Sequence, residues 1–219
     1  HSSSEGFLKC LKAPEDKVII GSDISSLEPH VLAHFSRDAG YLKIYHKEAA
    51  PNCIYLYLAA LSPIHGSLFE GVYDPNLGGR EAVKAAKEQF ADIRQRYKVC
   101  VLALAYEGTY VALGRMFRKF GMSVPEEELH KLVKLFKATF PGLPQFRDRL
   151  QWEWRQNNGY VITGRGRPQV IPRDKLDDAI AYFTQATGHD YVLRWQYHIN
   201  TIRRERKIAC HPYMPDRHD

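Results

Sequence analysis

The chain has 219 residues, 44% apolar and 26% charged, with a net charge of +6. That balance is ordinary for a soluble globular protein, and the length allows one large domain or two small ones around a substantial core. It excludes a membrane-spanning protein, because no apolar run approaches the roughly 20 residues that cross a bilayer, and His1 to Gly6 carries no signal-peptide core.

In chain order, "KVIIGS" (Lys17–Ser22) is short and β-branched, which predicts a buried strand. Ser25 to Ser36 has helical spacing through Leu27, Val31 and Phe35. Asn52 to Leu61 is apolar and predicts a helix, and the Gly, Pro and Asn punctuation from His65 to Gly79 predicts a loop. Glu81 to Ala105 predicts one long helix or two in sequence. Ser123 with Glu126 has the spacing of a capping box opening a helix that "FPGLP" (Phe140–Pro144) ends. Gln145 to Arg155 predicts a further helix, stopped by "NNG". Tyr160–Thr163 and Gln169–Ile171 flank "GRGRP" as a hairpin. Asp174 to about Glu205 reads as helical with an interruption at Gly188, and Lys207 to Cys210 as the start of a last strand. The order points to an α+β fold with a helical subdomain inserted between distant strands of one sheet.

The sequence pI of 9.1 leans toward a polyanionic partner, as it does in many proteins that bind no nucleic acid. Cys10, Cys53, Cys100 and Cys210 form no CxxC pair, so neither a zinc site nor a disulfide framework is indicated, and a reducing, cytoplasmic setting is expected. The chain stops abruptly at "MPDRHD", as a fragment of a longer protein would.

In "DIRQRYKVCVLALAYEGTY", Arg94, Lys98, Leu102 and Tyr106 recur every four residues and share one helix face. A cationic turn running into an apolar and aromatic stretch can hold a triphosphate at one end and a base or sugar at the other. On spacing alone, a solvated basic turn on a core helix is the favoured alternative. "TGRGRP" places Arg165 and Arg167 among glycines at a hairpin tip, which suits phosphates or a plain surface turn equally. Asp23 and Asp219 each stand near a predicted strand end. Two such carboxylates on neighbouring strands bind Mg²⁺, although a single Asp after a strand is more often a cap or turn residue. The tail "CHPYMPDRHD" matches no zinc spacing.

Taken in this order, the segments resemble the polymerase domain of family A DNA polymerases, phage-type members in particular. "DISSLEPHVLAHFSRD" (Asp23–Asp38) resembles motif A. The resemblance makes Asp23 a metal-binding aspartate, gives a metal the backbone carbonyl of Ile24, and makes Glu28 the glutamate that excludes ribonucleotides. "RQRYKVCVLALAYEGTY" resembles motif B, which assigns Arg94 and Lys98 to the triphosphate and Tyr106 to the nascent base pair. Leu102 and Tyr55 fall at further nucleotide-binding positions. "TQATGHD" resembles the family's Gln segment, which places Gln185 near the primer–template minor groove. His218–Asp219 resembles motif C cut off before its glutamate, and His189–Asp190 then belongs to the preceding helix. The chain departs from the family at Ser26, His30, Tyr55, Leu102 and Glu107, and Pro212 and Pro215 punctuate the approach to motif C.

The resemblance implies a palm antiparallel sheet with a large inserted helical fingers subdomain. Residues 1–51 and 173–219 would form the palm, and 52–172 the fingers with motif B and the hairpin. It implies template-directed transfer of dNTPs to a primer 3′-hydroxyl, with two Mg²⁺ ions held by Asp23 and Asp219. The partners it implies are dNTPs and primer–template DNA, the latter met by Gln185, His218, Arg165 and Arg167, with no membrane and no oligomer. A catalytically silent nucleic-acid-binding relative is the alternative, and a Mg²⁺-dependent nuclease using the same acids is a third reading.

Overall fold

A computed structural model describes residues 12, 13, 15, 16, 18, 19, 21, 23–106 and 108–209. These residues are mostly helical. The helices are α1 (Leu27–Ser36), α2 (Ala39–Tyr45), α3 (Ile54–Ala60), α4 (Arg80–Gln89), α5 (Ala91–Tyr106), α6 (Tyr110–Lys119), α7 (Glu126–Thr139) and α8 (Leu143–Gln156). A hairpin of β1 (Tyr160–Ile162) and β2 (Pro168–Val170) follows, then α9 (Ala179–Glu205). Short 3₁₀ turns cover Gly66–Phe69, inside the predicted loop, and Arg173–Asp178.

Helix α5 is the centre of the molecule, with α3, α4, α6, α7 and α9 packed around it. From Tyr97 to Ala105 every residue except Lys98 and Leu102 is buried. A helix that is apolar nearly all round belongs in a core. Its boundary with α4 answers the question of one helix or two. Phe90 leaves helical geometry at φ −114°, ψ 36°, and its ring packs on Phe69 with centroids 4.4 Å apart.

At the other end of α5, Thr109 opens α6 by accepting the Ala112 N–H at 3.1 Å. The expected capping box at Ser123 does not form: α7 starts at Glu126, with Pro125 in the N-cap position and no side-chain cap. The reason is Pro125 itself, whose ring pushes the preceding Val124 out of helical geometry, so the helix cannot open at Ser123. Glu126, Glu127 and Glu128 in the first turn complement the positive end of the helix instead.

In the hairpin Tyr160 faces Val170, Val161 faces Gln169 and Ile162 faces Pro168. It is tied to α8, where Trp154 Nε1 donates to the Ile171 carbonyl at 2.8 Å and Glu153 accepts from the Ile162 N–H at 2.6 Å. Helix α9 runs unbroken for 27 residues, so the expected interruption at Gly188 is absent. Gly188 is there for packing, since a Cβ would come within 3.3 Å of Leu27 on α1.

Two expected strands are also corrected. Around "KVIIGS", Val18 is 81% and Ile19 65% exposed and neither is in a strand, so among the described residues this segment is not a buried strand. Among the described residues no strand pairs with this β-branched run. Lys207 to Ala209 likewise form a turn and coil; Cys210 is outside the described residues. The sheet of the described residues is the two-stranded hairpin.

Tyrosines stiffen the core and set its pH response. Burial holds the hydroxyls of Tyr41, Tyr73 and Tyr97 above tyrosine's ordinary 10, and the Cys100 thiol above its ordinary 9. Each binds its proton more tightly folded than unfolded. The stability they contribute is complete below the ordinary values and is lost as pH rises through them toward the folded values. Urea unfolding across a pH series is expected to give a flat midpoint between about pH 7 and 8.5. Above about pH 10 stability should fall by about 1.4 kcal/mol per pH unit for each such tyrosine. A midpoint unchanged at pH 11, about one unit above the ordinary tyrosine value, counts against it.

Candidate nucleotide site

The face of α5 that stays partly open carries Arg94, Lys98, Leu102 and Tyr106, all half-buried. From Tyr97 to the end of the helix this stripe is what the burial of the other residues leaves over, whereas in the first turns Ile93, Gln95 and Arg96 are half-buried as well. Toward its N-terminal end Lys98 borders a cavity of about 710 Å³, shared with Gln95, Arg96 and Phe120. Arg96 there pairs with Glu128 at 3.5 Å.

The C-terminal end of the stripe meets α1. Tyr106 Oη donates to Glu28 Oε2, joining residues 78 apart in sequence. Burial, then the neighbouring Glu28 carboxylate, push the Tyr106 hydroxyl well above tyrosine's ordinary range, so it remains a donor at any physiological pH. Tyr55 on α3 belongs to the same cluster. Burial raises its hydroxyl, Arg94 opposes that and Glu28 adds to it. The Arg94 guanidinium lies over the Tyr55 ring, 5.3 Å from its centroid. A cation over an aromatic face is attracted by the negative charge of the ring face. Its Nε is buried without a hydrogen-bond partner. Glu28, Tyr55, Arg94 and Tyr106 thus form one constellation from three helices.

Asp23 is exposed and Ile24 half-buried, just ahead of α1. An aspartate carboxylate and a backbone carbonyl are hard oxygen donors of the kind Mg²⁺ takes. His218 and Asp219 lie outside the described residues. No group of three or more histidines, cysteines or carboxylates able to hold a metal ion occurs among the described residues.

The hairpin arginines divide. Arg165 is exposed at the tip. Arg167 is engaged: its Nε donates to Asp190 Oδ1 at 2.7 Å and its Nη2 to the Ala186 carbonyl at 3.3 Å. Asp190 also accepts from Thr163 Oγ1 at 2.6 Å. His189–Asp190 does belong to the helix, and the Asp190 carboxylate fastens the hairpin to α9. Gly164 allows the same approach, because a Cβ there would fall 2.2 Å from the Phe35 ring of α1. Gln185, beside Ala186, is exposed.

Sequence reading missed Asp190 as a structural acid, and it missed Asp38 and Arg147. Asp38 is 1% exposed and accepts the Tyr41 N–H at 2.9 Å and the Gly142 N–H at 2.6 Å. The first of these bonds has a local signal, an Asp directly before a helix. The second, and the bond from Arg147 Nη2 to the Tyr106 carbonyl at 2.9 Å, depend on packing alone.

With that geometry in place, the chain superposes on a solved structure described as the POL domain of Pol1 from M. smegmatis in complex with DNA primer-template and dNTP, with a TM-score of 0.58 and 18% identity. The fold is DNA-polymerase-like. The match covers 85% of this chain and 30% of that one. No family model matches the sequence. Within the polymerase-like fold, no helix of the described residues is long and apolar enough to cross a membrane.

Proposed function

We propose that the chain carries the nucleotide-binding face and part of the catalytic centre of a template-directed DNA polymerase of family A, phage-type in its motifs. The observation that carries this reading is the Tyr106–Glu28 contact, a hydrogen bond between the residues that resemble the motif A glutamate and the motif B tyrosine, beside Arg94. The similarity to a polymerase domain supports the same reading.

In the proposed reaction the primer 3′-hydroxyl attacks the α-phosphorus of a dNTP, the new phosphodiester bond forms, and pyrophosphate leaves with the electrons of the broken bond. Arg94 and Lys98 hold the triphosphate and offset charge as it moves onto the leaving oxygen. Glu28, held by Tyr106, lies beneath the deoxyribose and leaves no room for a 2′-hydroxyl. Leu102 and Tyr106 flank the nascent base pair. Arg165 and Gln185 face the primer–template, while Arg167 braces the hairpin. Asp23 and the Ile24 carbonyl would hold Mg²⁺ together with Asp219. Bound Mg²⁺ supplies acidification of the primer hydroxyl and neutralisation of the triphosphate.

The test is Lys98→Ala in the complete protein, with steady-state incorporation and primer–template binding measured side by side. Apparent KM for dNTP is expected to rise, or kcat to fall, about tenfold or more, with DNA affinity unchanged. A fall in DNA affinity alone, with a shallower salt dependence, would make the stripe a backbone-binding surface. DNA binding without incorporation by the wild-type protein would assign the chain to a silent nucleic-acid-binding relative.

A further inference from the structure

We infer that Arg147 is a positioning residue for the contact between Tyr106 and Glu28, an inference that rests on the function proposed above. Tyr106 is the last residue of α5. The final carbonyls of a helix have no partner within it. Gly108, at φ +70°, turns the chain so that its N–H reaches back to the Ala103 carbonyl at 3.3 Å. The Tyr106 carbonyl is left over, and Arg147 on α8 takes it through Nη2 at 2.9 Å.

A cation at this end also complements the negative pole of the helix. Gly108 makes the arrangement fit, because a Cβ there would crowd both Nη1 and Nη2 of Arg147 at 3.3 Å. The Nε of Arg147 is buried without a hydrogen-bond partner, so the bond to Tyr106 is a main polar anchor of the guanidinium. Tyr106 is consequently fixed at two points, its backbone by Arg147 and its hydroxyl by Glu28. Selection against a 2′-hydroxyl then depends on a residue that touches no nucleotide. Freed of Arg147, the last turn of α5 frays, Tyr106 samples further poses, and Glu28 loses its fixed donor.

The experiment uses ¹³C-labelled tyrosine. The Tyr106 Cζ resonance, assigned with Tyr106→Phe, is followed without nucleotide in wild type, Arg147→Met and Arg147→Lys. The ratio of deoxy- to ribonucleotide incorporation is measured in the complete protein. Arg147→Met is expected to move the resonance toward that of a solvated tyrosine and to lower the ratio about three- to tenfold, as loss of one anchoring hydrogen bond would. Arg147→Lys, which keeps the charge and one donor, is expected to show a smaller change in the same direction.

A folded Arg147→Met whose resonance is unmoved overturns the proposal, even if its thermal midpoint falls, because Arg147 would then be only a brace. If Arg147→Met does not fold, an unmoved resonance in Arg147→Lys overturns it equally. A moved resonance in a wild-type background that incorporates no nucleotide removes the proposed function and leaves the positioning role standing.

Discussion

Asp23→Ala is expected, on the proposed function, to lower nucleotide incorporation by about 10³-fold or more, since a carboxylate holding Mg²⁺ there would supply several kcal/mol of transition-state stabilisation. Primer–template affinity and thermal stability are expected to stay at wild-type values. Asp23 is exposed ahead of α1, so its removal opens no cavity, and surface changes of that kind fall within about 0.5 kcal/mol. Single-turnover incorporation measured alongside thermal unfolding decides it. Near-wild-type rates would remove Asp23 from the catalytic centre, and a matching loss of stability would make it a structural residue.

Asp38→Ala is expected to have the largest effect on stability. Its buried carboxylate bridges the first turn of α2 and the start of α8, 104 residues further on. Removing it leaves the Tyr41 and Gly142 N–H groups without their acceptor. Two hydrogen bonds to a charged group and the resulting desolvation amount to about 3–5 kcal/mol. For a chain of this size that lowers the thermal midpoint by about 6–20 °C. Gly40 sits at the same joint, where a Cβ would fall 2.1 Å from the Thr139 carbonyl. Because the two residues share this joint, Asp38→Ala and Gly40→Ala should not be additive. A midpoint shift below about 2 °C for Asp38→Ala, less than 1 kcal/mol, contradicts the bridge.

Much of the helical layout was legible because buried helices leave periodic apolar positions. Leu27, Val31 and Phe35 located α1, and Arg94, Lys98, Leu102 and Tyr106 located the open face of α5. The hairpin was legible from the glycines that its tip requires. What failed was local chemistry overridden by context. Ser123 and Glu126 have capping-box spacing, but Pro125 moves the helix start past the serine. Gly188 looks like a break, yet it is the small residue that lets α9 lie on Leu27. Val18 and Ile19 have strand propensity, but among the described residues no strand pairs with them. Within the site, residue types and spacing identified the open face of α5, while Arg147, Asp38 and the structural part of Asp190 depend on which helices meet.

The single open stripe of α5 also determines where this molecule can change. Any altered residue among Val99, Cys100, Val101, Ala103, Leu104 or Ala105 must be absorbed by helices packed around it. Lys98 and Leu102 carry no such obligation across their open side. Substitutions at Lys98 and Leu102 can exchange one chemistry for another while the scaffold stays as it is, whereas Arg94 and Tyr106 are tied to Tyr55 and Glu28, so a library confined to positions 98 and 102 would vary this face with little penalty in folding. Variation elsewhere along the same helix would mostly return chains that fold poorly.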